Sequence, residues 1–231
     1  MKVDIAVIGA MEPEVLGLIG EMTDHKTEKV SGIEIHLGKI GEKAVAVARC
    51  GIGKVFAALC TQTLILKYSP DLIINSDVGG ALASDLKTGD IIVAESLCQQ
   101  DMDTSAIGDP RGLVSGINKI YFDADKRAVE ILLSEAKSLG LCARGGRVAT
   151  GDKFIASKAD KEDIYGVFSA DACEMEGCAV AQVAFVNNIP FAVVRAISDS
   201  ADGEASMDYP TFLPIAARNS QNLTIALIKA W

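Results

Sequence analysis

The 231-residue chain is poor in aromatic residues, at 5%, and holds only two histidines. It has no run of Lys or Arg, no Cys-x-x-Cys pair and no long stretch rich in Pro, Gly or Ser. Each gap excludes something. With 22 basic against 31 acidic residues and a net charge of −9, the chain offers no electrostatic footprint for a phosphate backbone, so nucleic acid is set aside as a partner. The six cysteines, Cys50, Cys60, Cys98, Cys142, Cys173 and Cys178, are irregularly spaced and mostly set in apolar stretches. That pattern suits reduced, buried thiols rather than a disulfide framework. His25 and His36 both stand in polar segments, so no metal site is expected. The opening MKVDIAVIGAMEPEV is too short to cross a bilayer, is interrupted by Asp4 and lacks a small-residue cleavage site, which predicts a soluble, untargeted protein with no membrane partner. The missing linker leaves no domain boundary, and one domain over 1–231 is expected.

What the chain does have is aliphatic, with 49% of its residues apolar. Apolar runs recur at 4–10, 43–50, 71–76, 90–96, 145–150 and 190–198, several of them continuous, as strands covered on both faces require. Helical spacing falls between them. Val15, Leu18, Ile19 and Met22 follow it, as do Val129, Leu132, Leu133 and Ala136 in a segment that ends at a capping Gly140. Further helices are expected at 54–68, 157–168, 176–187 and 211–229. The alternation predicts an α/β fold, a single domain with a central, mixed and mostly parallel β-sheet flanked by helices. The one long irregular stretch, 99–118, is of a length that tends to be functional.

In such sheets ligands sit beyond the carboxyl ends of the strands. The segments there read GAMEPE (9–14), CGIGK (50–54), SDVGGA (76–81), TGDKFI (150–155), CEMEG (173–177) and SDSAD (198–202). They are rich in glycine and carboxylate and poor in basic groups. Glu12, Glu14, Glu174, Glu176, Asp199 and Asp202 are expected to converge and to shift one another's pKa, which suits acid/base hydrolysis of a glycosidic bond. Two motifs fail inspection. GIGK lacks the upstream Gly of a P-loop, where Val47 or Ala48 stands, and has Val55 in place of Ser or Thr. IGAMEPE lacks the second and third glycines of a dinucleotide fingerprint.

GAMEPEV (9–15), GIGKV (51–55), INSDVGGAL (74–82), DMDTSAIG (101–108), TGDKFI, CEMEG and VVRAISDSAD (193–202) resemble, in order and over nearly the whole chain, the methylthioadenosine/S-adenosylhomocysteine nucleosidases of the purine nucleoside phosphorylase-like superfamily. The resemblance implies hydrolysis of the bond between adenine and a 5'-thio-substituted ribose, without a cofactor, in a cytoplasmic homodimer. Asp199 matches the acid that protonates the leaving adenine, and Glu14 the base that activates water, whereas Glu12 occupies a non-equivalent place. Glu14 also suits the first turn of a helix. Glu176 matches the carboxylate that takes the ribose hydroxyls. Met11 and Met175 match residues on the sugar, Phe154 and the Ile155 backbone those at adenine, and Ile52 and Tyr209 the 5' pocket. Val78 and Ser198 belong to the same substrate-binding set. Arg195 completes it and is expected to pair with a carboxylate, Glu174 being the best placed.

This chain departs from the family where Asp77 stands in place of a usual Gly, which leaves reduced activity and altered specificity both open. The residues at 104, 107 and 109 (Thr104, Ile107 and Asp109) also differ from the apolar or aromatic groups often found there. Two rivals remain. A phosphorylase of the same fold needs basic groups where Glu12 and Glu14 stand, although GDPRG (108–112) imitates a phosphate motif. A non-catalytic nucleoside-binding protein is favoured by Asp77 and opposed by the retained Glu14, Glu176 and Asp199.

Overall fold

The computed structural model describes residues 2–202 and 205–231, apart from the side chains of residues 206 and 207. Ten strands and six α-helices alternate through them: β1 (Ile5–Gly9), α1 (Glu12–Gly20), β2 (Thr23–Val30), β3 (Ile33–Ile40), β4 (Lys43–Arg49), α2 (Lys54–Tyr68), β5 (Leu72–Ala81), β6 (Ile91–Gln99), β7 (Phe122–Asp123), α3 (Lys126–Ser138), β8 (Ala143–Thr150), α4 (Lys158–Phe168), β9 (Ala172–Glu174), α5 (Gly177–Val186), β10 (Phe191–Asp199) and α6 (Ala205–Ala230).

All ten strands belong to one sheet, in the order β10-β6-β8-β9-β5-β1-β4-β3-β2, with β7 attached to β6. A further pairing of β10 with β5 closes the first five strands into a ring. The sheet is mixed, as expected. Parallel pairings join β1 to β4 and β5, β5 to β10, and β8 to β6 and β9. Antiparallel pairings are equally numerous, because the meander β2-β3-β4, the short strands β7 and β9, and the β10–β6 contact all contribute them.

The strand interiors explain why these segments pair. Every residue of β1, β5 and β10 is buried, so their continuous apolar runs sit between helices. α6 packs on β10 and β5 and touches α1 and α3, while α2 and α5 lie against each other. A second, smaller core of Leu82, Cys98, Ile164 and Phe168 lies beneath α4. Each fully buried Ile or Leu contributes roughly 1.5–3 kcal/mol. Local signals set the helix ends: the Asp125 carboxylate accepts from Ala128 N at 2.9 Å and the Ser157 hydroxyl from Asp160 N at 3.1 Å. Gly140, at φ +69°, follows α3 as predicted.

The short strands β7 and β9 were not expected, β6 runs three residues past 96, and larger differences lie elsewhere. The strands β2 and β3 were not predicted, and β5 continues five residues beyond the expected end at Ser76, to Ala81. α6 begins at Ala205 rather than at 211 and carries Pro210 and Pro214 inside it. Proline opposes a helix interior, but packing against two central strands overrides that local preference and brings Tyr209 over the sheet.

Candidate active site

A cavity of about 360 Å³ opens beyond the carboxyl ends of the central strands, large enough for a nucleoside-sized ligand. Its wall combines Ala10 and Met11 after β1, Ile52 before α2, Asp77 to Gly80 on β5, Lys153 to Ile155 after β8, Cys173 to Glu176 around β9, Ser198 and Asp199 on β10, and Tyr209 on α6. The topology thus brings together Met11, Ile52, Val78, Phe154, Ile155, Met175, Glu176, Ser198, Asp199 and Tyr209, ten of the residues singled out from the sequence. Glu14 and Arg195 stand one layer behind the wall. Glu12 does not join the acids: its side chain is exposed and lies 3.9 Å from Arg49. Asp202 is half-buried and, after burial and Asp208, its charge adds to the raised pKa of Asp199.

The buried base of the site is Arg195, wholly enclosed on β10. Its Nε donates to Glu174 Oε2 at 3.1 Å and its Nη1 to the Val194 carbonyl at 2.9 Å, while Nη2 bonds both Glu174 and Asn75. Glu174 in turn accepts from Glu176 N at 3.0 Å and Gly177 N at 2.6 Å, and from the Thr150 hydroxyl. Both oxygens of that carboxylate are engaged, so Arg195 serves as a brace and not as a wall. Gly177, three residues on, packs closely against this brace. A Cβ on Gly177 would lie 2.8 Å from Leu97 Cδ2 and 3.0 Å from Glu174 Oε2.

That brace turns the chain so that Glu176 faces the cavity ahead of α5. Its Oε1 accepts from Gly53 N at 2.6 Å, a contact that the backbone of Gly53, at φ +102°, makes available. Burial first, then the charges of Asp77 and Glu174, push the Glu176 pKa up to about 8.

Glu14 is 1% exposed. As the third residue of α1 it accepts from Met11 N at 2.7 Å through Oε2, so its helix-starting role is real. Its Oε1 accepts from no donor. Burial and the neighbouring Asp77 carboxyl hold the Glu14 pKa well above the ordinary range. Asp199 is also raised, chiefly by burial, although its Oδ1 accepts from Ala201 N at 2.9 Å and its Oδ2 lies 2.9 Å from the Ser198 hydroxyl. Across the cavity mouth, Phe154 and Tyr209 meet edge to face with centroids 5.6 Å apart, and the Tyr209 hydroxyl donates to Met11 Sδ at 3.3 Å. No group of three or more His, Cys, Asp or Glu among the described residues is arranged to hold a metal ion.

A family model described as "Phosphorylase superfamily" matches residues 4–229. The chain belongs to the phosphorylase superfamily. Within the superfamily, its relatives are those that the sequence blocks resemble. A protein of Shewanella loihica named 5'-methylthioadenosine/S-adenosylhomocysteine nucleosidase is 38% identical over 227 residues, covering 97% of this chain and 98% of its own. The crystal structure of the nucleosidase of that name from Neisseria meningitidis, in complex with methylthio-immucillin-A, superposes with a TM-score of 0.96 at 32% identity over 98% and 99% of the two chains. Futalosine hydrolase of Helicobacter pylori superposes with a TM-score of 0.94 at 33% identity, over 98% and 97%.

The sequence of this superfamily member marks Asp77 as a departure from the family pattern but does not place it among the site residues. It is 3% exposed, lines the cavity and adds to the raised pKa of Glu14. The signal was its position as a carboxylate in an otherwise apolar and small-residue strand. It was obscured by ending the strand at Ser76, which left Asp77 in an imagined loop.

Proposed function

We propose that the chain hydrolyses the N-glycosidic bond of 5'-methylthioadenosine and S-adenosylhomocysteine, releasing adenine and the 5-thio-substituted ribose. One observation carries hydrolysis over phosphorolysis: the cavity is walled by apolar groups and acids, and its nearest cations are already engaged. Lys153 Nζ pairs with Asp160 at 2.8 Å, and Arg195 is spent on Glu174. A phosphate dianion would meet Asp77, Glu176 and Asp199 instead of an Arg fork.

In this reading water attacks the anomeric carbon, the bond to adenine breaks with its electron pair going to the base, and Asp199 delivers a proton to N7. The raised pKa of Asp199 suits a group that must hold that proton. Glu14 takes the proton lost by water. Glu176 binds the ribose hydroxyls and favours positive charge on the sugar. Met11 and Met175 pack on the ribose, Phe154 and Ile155 with Val78 and Ser198 hold adenine, and Ile52 and Tyr209 face the 5' group. Arg195 positions the ribose carboxylate through Glu174. Residues 1–231 act as one nucleosidase domain.

The protein works as a cytoplasmic homodimer in this proposal. All six cysteines are free thiols, five of them buried, and no helix among the described residues is long and apolar enough to cross a membrane. Ile52 is 54% exposed and Phe154 44% exposed at the cavity mouth, and Val55, Phe56 and Leu59 continue the apolar surface along α2. Sedimentation tests the assembly. The activity is tested by incubating the protein with each nucleoside, with and without phosphate: adenine and free 5-thioribose are expected either way. A 5-thio-substituted ribose 1-phosphate formed strictly in proportion to phosphate, or binding without adenine release, overturns the reading.

A further inference from the structure

The start of α2 has no cap of its own. Gly53 stands at the N-cap position without a side chain to offer, and the first turn carries no acid. The N–H groups that a helix start leaves over, and the positive end of the helix dipole, are met instead by carboxylates from distant parts of the chain. Gly53 N donates to Glu176 Oε1 at 2.6 Å, and Lys54 N, the next along, donates to Asp152 Oδ1 at 2.8 Å. Glu176 lines the cavity, whereas Asp152 stands outside its wall.

Asp152 is itself held. Its N–H donates to Asp101 Oδ2 at 2.9 Å, while Asp101 Oδ1 accepts from Lys54 Nζ at 2.6 Å, and that ammonium also reaches Gln99 Oε1 at 3.2 Å. Lys54, Asp101 and Asp152 therefore close a ring, in which Lys54 gives its backbone N–H to one acid and its ammonium to the other. They come from three separate sequence blocks, GIGKV, DMDTSAIG and TGDKFI. The fit is close at Gly53, where a Cβ would lie 3.0 Å from Asp152 Oδ1. The Lys54 and Asp101 side chains are 20% and 32% exposed, and ion pairs that face water add little stability. What the ring does fix is the direction of the first N–H groups of α2.

We propose that Asp152, locked by Lys54 and Asp101, is a positioning residue for the ribose carboxylate: it caps α2 at Lys54 and so holds the Gly53 N–H on Glu176. This deepens the hydrolase reading and rests on it for the role of Glu176. Gly53, at φ +102°, has no side chain to restrain it, so the bonds on either side of it set where its N–H points. A carboxylate held through one oxygen has the other to give to a pair of ribose hydroxyls. The loop that carries Asp152 continues to Phe154, and the ring thereby ties the ribose side of the cavity to the adenine side.

Calorimetric titration with a 5'-methylthio C-nucleoside, in which a carbon–carbon bond replaces the glycosidic bond, tests the positioning without turnover. Asp152→Ala is expected to weaken binding about tenfold, and Asp152→Asn, which keeps an oxygen for Lys54 N, by no more than about twofold. In a Glu176→Ala background Asp152→Ala should change affinity less than about twofold, because the carboxylate it positions is gone. An equal loss with and without Glu176, as a merely structural cap would give, overturns the proposal, and so does no loss in either. In proton–nitrogen spectra of the ligand-free protein the Gly53 amide, bonded to a carboxylate, should lie downfield and move upfield in Asp152→Ala as in Glu176→Ala. An unmoved signal overturns the proposal whether or not the protein proves to be a hydrolase. Adenine release adds the reaction: kcat/KM for methylthioadenosine should fall about 10–100-fold in Asp152→Ala, and an unchanged value counts against the positioning. A wild type that releases no adenine sinks the hydrolase reading and leaves the amide signal and the affinity cycle to decide. Lys54→Met covers the case in which Asp152→Ala does not fold. It should weaken binding about threefold only while Glu176 is present, and a loss that persists without Glu176 overturns the proposal.

Discussion

Two carboxylate corners of one cavity are built on opposite plans. At Glu174, Arg195, Thr150 and two backbone N–H groups together occupy both oxygens. At Glu14 a single N–H serves one oxygen, and the other has no hydrogen-bond partner among the described residues. The first corner is full and holds the chain in place. The second is short of donors and keeps its protons mobile. Burial raises Asp199 and Glu176 as it raises Glu14, although Asp199 has a donor at each oxygen. A buried acid supplied with donors is a structural element, whereas one denied them can exchange protons.

Substitutions can break this contrast. Asp199→Asn keeps the size and removes the proton, so adenine release should fall by roughly 10²–10⁴-fold while a non-hydrolysable nucleoside analogue still binds. Near-normal turnover would remove Asp199 from the role of proton donor. Glu174→Ala should act through stability, because it strands the enclosed Arg195 charge. An unfolding free energy lower by about 3–5 kcal/mol is expected in denaturant titrations. An unchanged midpoint would mean that the full corner is not the brace described. The smallest effect concerns Glu176. Its folded pKa of about 8 lies above its ordinary value, so the folded protein holds its proton more tightly than the unfolded chain. Its stabilising contribution is complete below the ordinary carboxylate range and lost as pH rises through about 8. Glu176→Gln should therefore raise the melting temperature of the ligand-free protein more at pH 9 than at pH 5, and scanning calorimetry at the two values checks it.

The central strands and most of the cavity were legible because they follow simple rules. Continuous apolar runs such as IAVIG mark strands covered on both sides, and function gathers at their carboxyl ends. The hairpin was harder. β2, TDHKTEKV, is exposed along nearly its whole length and shows no apolar period, although its partner β3, IEIHLGKI, buries Ile33, Ile35, Leu37 and Ile40 and carries the alternation plainly. Proline misplaced the start of α6, since its local cost is visible in the sequence and the compensating contact with β10 and β5 is not. The donor count around each acid was least accessible. Glu12 and Glu14 are near-identical in sequence context, yet one faces solvent and the other is enclosed, because a helix places residues two apart on different faces. The neighbour that matters most to Glu14, Asp77, lies 63 positions along the chain.

The closed ring of strands imposes an order on assembly. β10 is bonded to β5 on one side and β6 on the other, and it carries both the brace and the acid, Arg195 and Asp199. The bond from Arg195 to Asn75 spans 120 positions. Until the last strand docks, Glu174 has no counter-charge and the cavity lacks Asp199, so a chain folded only as far as β9 has neither the brace nor a complete cavity. Such long-range closure is slow compared with local helix formation. Undocking of that one strand would likewise dismantle brace and acid together, which ties the lifetime of the active site to a single cooperative opening.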